Sequence, residues 1–151
     1  MGKLDLMIDS CFEDVNLVGL CIRTLSSKVF DKDQCDQIEL CVVEVVTNCI
    51  KHSYEGMKGH KVYVAYQAYD DRVVIDIADS GIAMDEKLLE NYAPNFDIDK
   101  SDIDNLPEGG MGLKIIKTWM DEVRYKTVDG LNHCVLVKYI NPQPVTAAPV
   151  A

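Results

Sequence analysis

Long apolar runs are missing from this chain: no stretch approaches the roughly 18 residues that a membrane-spanning helix needs. A secretory leader is missing too, because Met1 to Ser10 lacks a basic head followed by an apolar stretch. The six cysteines, Cys11, Cys21, Cys35, Cys41, Cys49 and Cys134, form no C-x-x-C pair, which argues against a structural zinc site. Without a leader they read as reduced core thiols of a cytoplasmic protein. Positive charge is scarce. The 15 Lys and Arg against 25 Asp and Glu give a net charge of -10, which disfavours non-specific binding to DNA or RNA. Neither nucleic acid nor membrane is therefore expected as a partner. A nucleotide is not excluded, since it binds at backbone amides and a metal ion rather than at a basic surface. No internal repeat or linker divides the 151 residues, so one domain with a sizeable core is expected.

Periodicity supplies the elements. Lys3 to Ile8 alternates apolar and polar residues and predicts a strand. Asp14 to Phe30 carries Val15, Val18, Ile22 and Leu25 at helical spacing, and Asp33 to Tyr54 reads as a second helix with Asp31 or Asp33 as its cap. Glu55-Gly-Met-Lys-Gly59 ends that helix. Lys61 to Tyr69 and Arg72 to Asp79 predict a hairpin, and Val123 to Val128 with His133 to Ile140 a second one around Asp129-Gly130. A helix precedes it at Gly112 to Asp121. From Ser80 to Gly112 the pattern breaks, with a weak helical patch near Asp85 to Tyr92; so long an irregular stretch suggests a lid or a disordered loop. The proline-containing tail 141–151 is expected to be disordered. Strands interleaved with helices imply an α/β layer fold, one sheet covered by helices.

Three constellations stand out. In Glu44-Val-Val-Thr-Asn48-Cys-Ile-Lys-His52 a carboxylate, an amide and an imidazole recur every four residues, about 40° apart per step on a helix. Val43, Val45 and Val46 surround Glu44, so this polar stripe lies in an apolar segment. Burying such groups unpaired costs about 1–3 kcal/mol each. Glu44 is suited to act as a base, and the Asn48 oxygen to hold a hard cation such as Mg²⁺. The plainer alternative is a solvent-facing amphipathic stripe. Asp79-Ser-Gly81 follows a strand; an ionised Asp there accepts hydrogen bonds and suits an amino group such as that of adenine. The alternative is an ordinary turn. Glu108-Gly109-Gly110-Met111-Gly112-Leu113 precedes a helix, so its amides and the helix dipole can face an anion; the alternative is a hinge.

Taken in order, these features resemble the ATP-binding domain shared by gyrase, the ninety-kilodalton heat-shock chaperones, histidine kinases and mismatch-repair ATPases. The short chain and the strand-then-two-helices start look most like the bacterial anti-sigma factor serine kinases. The resemblance covers roughly residues 4 to 140 and implies a two-layer sandwich, a mixed, mostly antiparallel sheet with helices on one face. It makes residues 1–140 the ATP-binding domain and 141–151 a tail. It implies Glu44 as catalytic base or aligner, Asn48 as the Mg²⁺ ligand, and His52 near the phosphates. It assigns Asp79 with Gly81 to adenine and Met84 to the same nucleotide site. Gly110, Met111, Gly112 and Leu113 would line the triphosphate, with Lys100 in the lid as a phosphate contact.

The implied activity is transfer of the γ-phosphoryl group of Mg-ATP to a serine of an anti-anti-sigma protein, with a sigma factor as the sequestered partner. Related kinases are commonly dimers, which leaves a homodimer open. Two positions depart from the pattern. Ala83 stands where a glycine is usual. Asn132-His133-Cys134 stands where a Thr-containing pair enters the last strand, with His133 and Cys134 as the replacements. The lid is acidic, with Asp97, Asp99, Asp102, Asp104 and Glu108, which suits a partner better than a triphosphate. The alternatives are a nucleotide-binding module that sequesters a partner without phosphotransfer, a detached sensor-kinase domain, and a domain with no nucleotide site.

Overall fold

In the computed structural model, residues 2–90 and 111–141 are described. Strand β1 (Lys3–Asp9) leads into helices α1 (Phe12–Ser26) and α2 (Lys32–Asn48), and α2 runs directly into a π-helical turn, Cys49–Ser53. The hairpin β2 (Lys61–Ala68) and β3 (Arg72–Asp79) follows, then a short α3 (Lys87–Glu90). Helix α4 (Met111–Trp119) and the hairpin β4 (Glu122–Val128) and β5 (Leu131–Tyr139) complete the described chain. The sheet order is β1-β2-β3-β5-β4, and every neighbouring pair is antiparallel. The sheet is thus wholly antiparallel among the described residues, where a mixed one was expected. No described helix is long and apolar enough to cross a membrane.

Strand parity decides which side chains meet the helices. Leu6 and Ile8 pair with Val64 and Val62, Val64 pairs with Ile77, and Ile75 with Leu136. These residues share the face that packs on α1, α2 and α4 through Val18, Ile22, Ile38, Val42, Val46 and Ile116. Val62, Ile75, Ile77, Ile38, Val42 and Val46 are wholly buried. Fully burying side chains of this size stabilises the fold by about 1.5–3 kcal/mol each. Helix α2 is the central helix and packs against both α1 and α4.

Local chemistry sets the ends of the elements. Asp31 is the cap of α2: its carboxylate accepts from the Gln34 amide at 2.8 Å, and the Gln34 side chain accepts from the Asp31 amide at 3.2 Å. That reciprocal capping box satisfies two otherwise orphaned donors. Asp31→Ala should lower stability by about 1 kcal/mol, read as a urea midpoint shift at unchanged slope. The turn of the last hairpin holds Asp129 and Gly130 at φ 50° and 79°, the geometry that matches the twist of a two-residue hairpin.

One further expectation is corrected. The second helix does not continue as one α-helix to Tyr54; after Asn48 it widens, and the Tyr54 amide donates to the Cys49 carbonyl five residues back at 3.0 Å. The helical patch expected near Asp85 to Tyr92 is present as α3, and residues 91–92 lie outside the described residues. Lys100, Gly110, most of the expected lid and the tail from 142 lie outside the described residues.

Candidate nucleotide site

The polar end of the core face opens into a cavity of about 430 Å³. Its walls come from α2 and the π turn (Val45, Asn48, Cys49, His52, Ser53), from β3 and the loop after it (Ile77, Asp79, Ile82, Ala83, Met84), from α4 (Gly112, Leu113, Ile116) and from the closing hairpin (Val123, Tyr125, Asn132, Cys134). Apolar walls with a few converging polar groups are typical of a small-molecule site.

Asp79 ends β3 and is 3% exposed. Such burial needs partners. Its Oδ1 accepts from the Gly81 amide and from Asn132 Nδ2, each at 2.9 Å. Asn132 Nδ2 also donates to the Gly81 carbonyl at 2.9 Å, and Thr127 Oγ1 donates to Asn132 Oδ1 at 2.9 Å. The register makes this possible: Asp79 lies opposite Asn132, and Asn132 opposite Thr127, so the three share one row across β3, β5 and β4.

Gly81 does not line the cavity; it is a packing point. A Cβ there would lie 2.2 Å from the Ser53 carbonyl oxygen and 2.5 Å from its carbon, while the Ile82 amide donates to that oxygen at 2.9 Å. The π turn and the loop after β3 are therefore in backbone contact. Tyr54, 2% exposed, fastens the same corner: its hydroxyl donates to the Lys61 carbonyl and accepts from the Ser80 amide at 2.8 Å. The Met84 amide donates to Tyr125 Oη at 2.8 Å, which holds the rim against β4.

The opposite end is built by α2 and α4. A Cβ on Gly112 would come within 2.6 Å of Glu44 Oε2 and 3.8 Å of Asn48 Nδ2. The first turn of α4 thus lies directly over the Glu44–Asn48 pair, and the missing side chain makes that approach possible. Glu44 is half-buried behind Gly112; burial pushes its carboxyl above the usual range, with Lys51 opposing. Asn48 lines the cavity, and its side chain forms no hydrogen bond to another described residue. No group of three His, Cys, Asp or Glu side chains among the described residues could hold a metal ion. Asn48 brings an amide oxygen, the donor type a hard cation takes, to the cavity wall.

The stripe is only partly preserved. Glu44 and Asn48 lie together under α4, but the π turn carries His52 to an exposed position at the cavity wall. Met84, Gly112 and Leu113 line the cavity, and Met111 opens α4. His133 is not a site residue: it points to the outer sheet face, where its Nδ1 lies 3.0 Å from both Asp76 oxygens. Cys134 does reach the cavity, where burial pushes its thiol up to about 12. Burial, followed by the Asp79 carboxylate, likewise raises Cys49. Both are neutral thiols at physiological pH. Ala83 is exposed at the rim rather than set into the floor.

Thr127 and Tyr125 were not singled out in the sequence, and Asn132 was noted only beside His133 and Cys134, the expected replacements. The signal was the Asp129-Gly130 turn. Once it fixes Val128 opposite Leu131, parity puts Asn132 on the buried face beside Cys134 and Leu136, and sends His133 outward.

Comparisons with known proteins agree with this geometry. The chain is 28% identical over 144 residues to "Serine-protein kinase RsbW" of Bacillus cereus (strain ATCC 10987 / NRS 248), covering 95% of this chain and 88% of that protein. The same identity and coverage relate it to "Serine-protein kinase RsbW" of Bacillus thuringiensis subsp. konkukian (strain 97-27), and 27% identity to that of Bacillus mycoides (strain KBAB4). The profile of the histidine kinase-like ATPase domain matches residues 13–138, and with the strand-end aspartate and the helix-borne Asn around one cavity, the chain belongs to the histidine kinase-like ATPase domain family.

Proposed function

We propose that the protein is an ATP-dependent serine kinase and anti-sigma factor, acting in the cytoplasm on an anti-anti-sigma partner and sequestering a sigma factor. The observation that carries this reading is one cavity lined by an acceptor carboxylate, Asp79, and by Asn48 and Gly112, with Glu44 directly behind Gly112. The similarity to proteins named serine-protein kinase RsbW supports the choice of reaction.

Asp79 accepts from the adenine amino group, while Ile77, Ile116 and Val123 supply apolar wall for the ring. The α4 N-terminus, whose first amides have no partner within the helix, faces the phosphates. Mg²⁺ would be held by Asn48 Oδ1 together with phosphate oxygens, and supplies neutralisation of phosphate charge. Glu44 orients the incoming serine hydroxyl and takes its proton as the serine oxygen bonds to the γ-phosphorus. The bond from that phosphorus to the β–γ bridging oxygen breaks, and ADP leaves with the electron pair. A carboxyl shifted upward by burial is a better proton acceptor than an ordinary one.

The test is calorimetric titration of the protein with ATP and Mg²⁺, followed by assay of serine phosphorylation on candidate antagonist proteins. No binding at millimolar ATP ends the nucleotide reading. Asn48→Ala should remove the Mg²⁺-dependent part of ATP affinity and leave the Mg²⁺-free part unchanged; equal loss with and without Mg²⁺ counts against Asn48 as the ligand. A nucleotide-binding module without phosphotransfer is the second reading, favoured by the departure at Ala83 and the acidic segment 97–108. It predicts ATP and partner binding with no phosphoserine.

A further inference from the structure

We propose that Asn132, held in orientation by Thr127, is a positioning residue that sets how strictly the cavity prefers a 6-amino over a 6-oxo purine nucleotide. The inference rests on the nucleotide reading above and deepens it. Its basis is the one-way logic of the hydrogen bonds around Asp79. The Gly81 carbonyl can only accept, and Asp79 Oδ1 already accepts from the Gly81 amide. The Asn132 atom 2.9 Å from both oxygens must therefore be its NH₂ group. That leaves the Asn132 oxygen facing Thr127, whose hydroxyl 2.9 Å away has to donate. No other amide orientation satisfies all four groups.

Asn132 is 2% exposed and Asp79 3%, so water cannot replace a lost partner at little cost. The row Thr127–Asn132–Asp79 thus presents the cavity with a carboxylate fixed as an acceptor. A ligand group that meets it has to donate. The exocyclic amine of adenine donates, whereas the 6-oxygen of inosine or guanosine would set a lone pair against the carboxylate. A site built around such a hydrogen bond rejects the wrong partner far more strongly than an apolar pocket does. Thr127 is exposed and contributes its hydroxyl from a strand that also accepts valine, so Thr127→Val keeps the shape and removes only the donor. The Asp79 and Gly81 oxygens still forbid the Asn132 amide from flipping, but its buried oxygen is left without a donor, so the amide that anchors Asp79 is held by one bond fewer.

Calorimetric titration with ATP and with inosine triphosphate, at fixed Mg²⁺, measures the effect for wild type, Thr127→Val, Thr127→Ser and Asn132→Ala. Wild type should favour ATP by about 100-fold or more. Thr127→Val should shrink that ratio about tenfold, through weaker ATP binding with inosine triphosphate affinity nearly unchanged. Thr127→Ser should restore it, and Asn132→Ala should shrink it further. A merely structural role would weaken both nucleotides together; an unchanged ratio in Thr127→Val and Asn132→Ala overturns the proposal. If wild type binds neither nucleotide at millimolar concentration, the nucleotide reading itself falls, an outcome distinct from an unchanged ratio.

Discussion

Glu44→Gln should cut phosphotransfer to the partner serine by about 10²–10⁴-fold while ATP affinity stays within a few-fold of wild type. The amide keeps the size of the side chain and its place behind Gly112, but cannot accept the serine proton at neutral pH. The same substitution should make the protein more stable at pH 8. Burial holds the Glu44 carboxyl above its ordinary range in the folded chain, so its ionisation opposes folding. The sign follows by linkage. The folded state binds this proton more tightly than the unfolded state, so the penalty is absent below the unfolded value near pH 4 and develops as pH rises through the folded one. Glu44→Gln should therefore melt about 1–3 °C above wild type at pH 8, with the difference closing towards pH 4. The offset is kept small because the carboxyl is only half-buried. Near-normal phosphoserine formation by the variant would remove Glu44 as the base. A melting gain that persists unchanged at pH 4 would remove desolvation as the cause.

Gly81→Ala should be the most damaging single methyl addition at the site. The new Cβ would sit 2.2 Å from the Ser53 carbonyl oxygen, a backbone atom that cannot rotate aside. Either the π turn or the loop after β3 has to move. That move strains two contacts at once, the Ile82 amide to Ser53 and the Gly81 amide to Asp79, both 2.9 Å. Overpacking of this kind costs about 1–3 kcal/mol, and each lost bond about 0.5–1.5 kcal/mol more. A fall in melting temperature of about 6–12 °C is expected, with ATP affinity reduced because Asp79 loses its anchor. Ala83→Gly is the natural control. That residue is exposed at the rim, so its replacement should change ATP affinity little; a large gain there, with Gly81→Ala tolerated, would reverse the roles assigned to the two positions.

Much of the architecture was legible because its determinants are local. The alternation of β2 and β3, the Asp31 cap and the Asp129-Gly130 turn each act over a few residues, and the structure has all three. The Glu44–Asn48 pair and Asp79 were legible because polar groups in apolar surroundings need an explanation. What escaped depended on contacts between distant segments. The widening after Asn48 leaves no propensity signal, and His52, which it carries, is exposed at the cavity wall that Asn48 also lines. The need for a glycine at 81 lies in a backbone carbonyl far away in sequence. His133 and Cys134 looked interchangeable as replacements for a threonine pair until the strand register separated them, one to each face.

The π turn has a consequence for how this chain can change. Each residue added to or removed from a helix rotates all that follows by about 100°. Cys49–Ser53 bonds forward to Tyr54 in a five-residue loop, and Ser53 must still offer its carbonyl to the Ile82 amide, against the bare Cα of Gly81. A one-residue deletion there would restore a regular helix and turn that carbonyl away from the loop that carries Asp79. The segment between Asn48 and Tyr54 therefore has a fixed length rather than a fixed sequence, and substitutions should be accepted there far more readily than insertions or deletions.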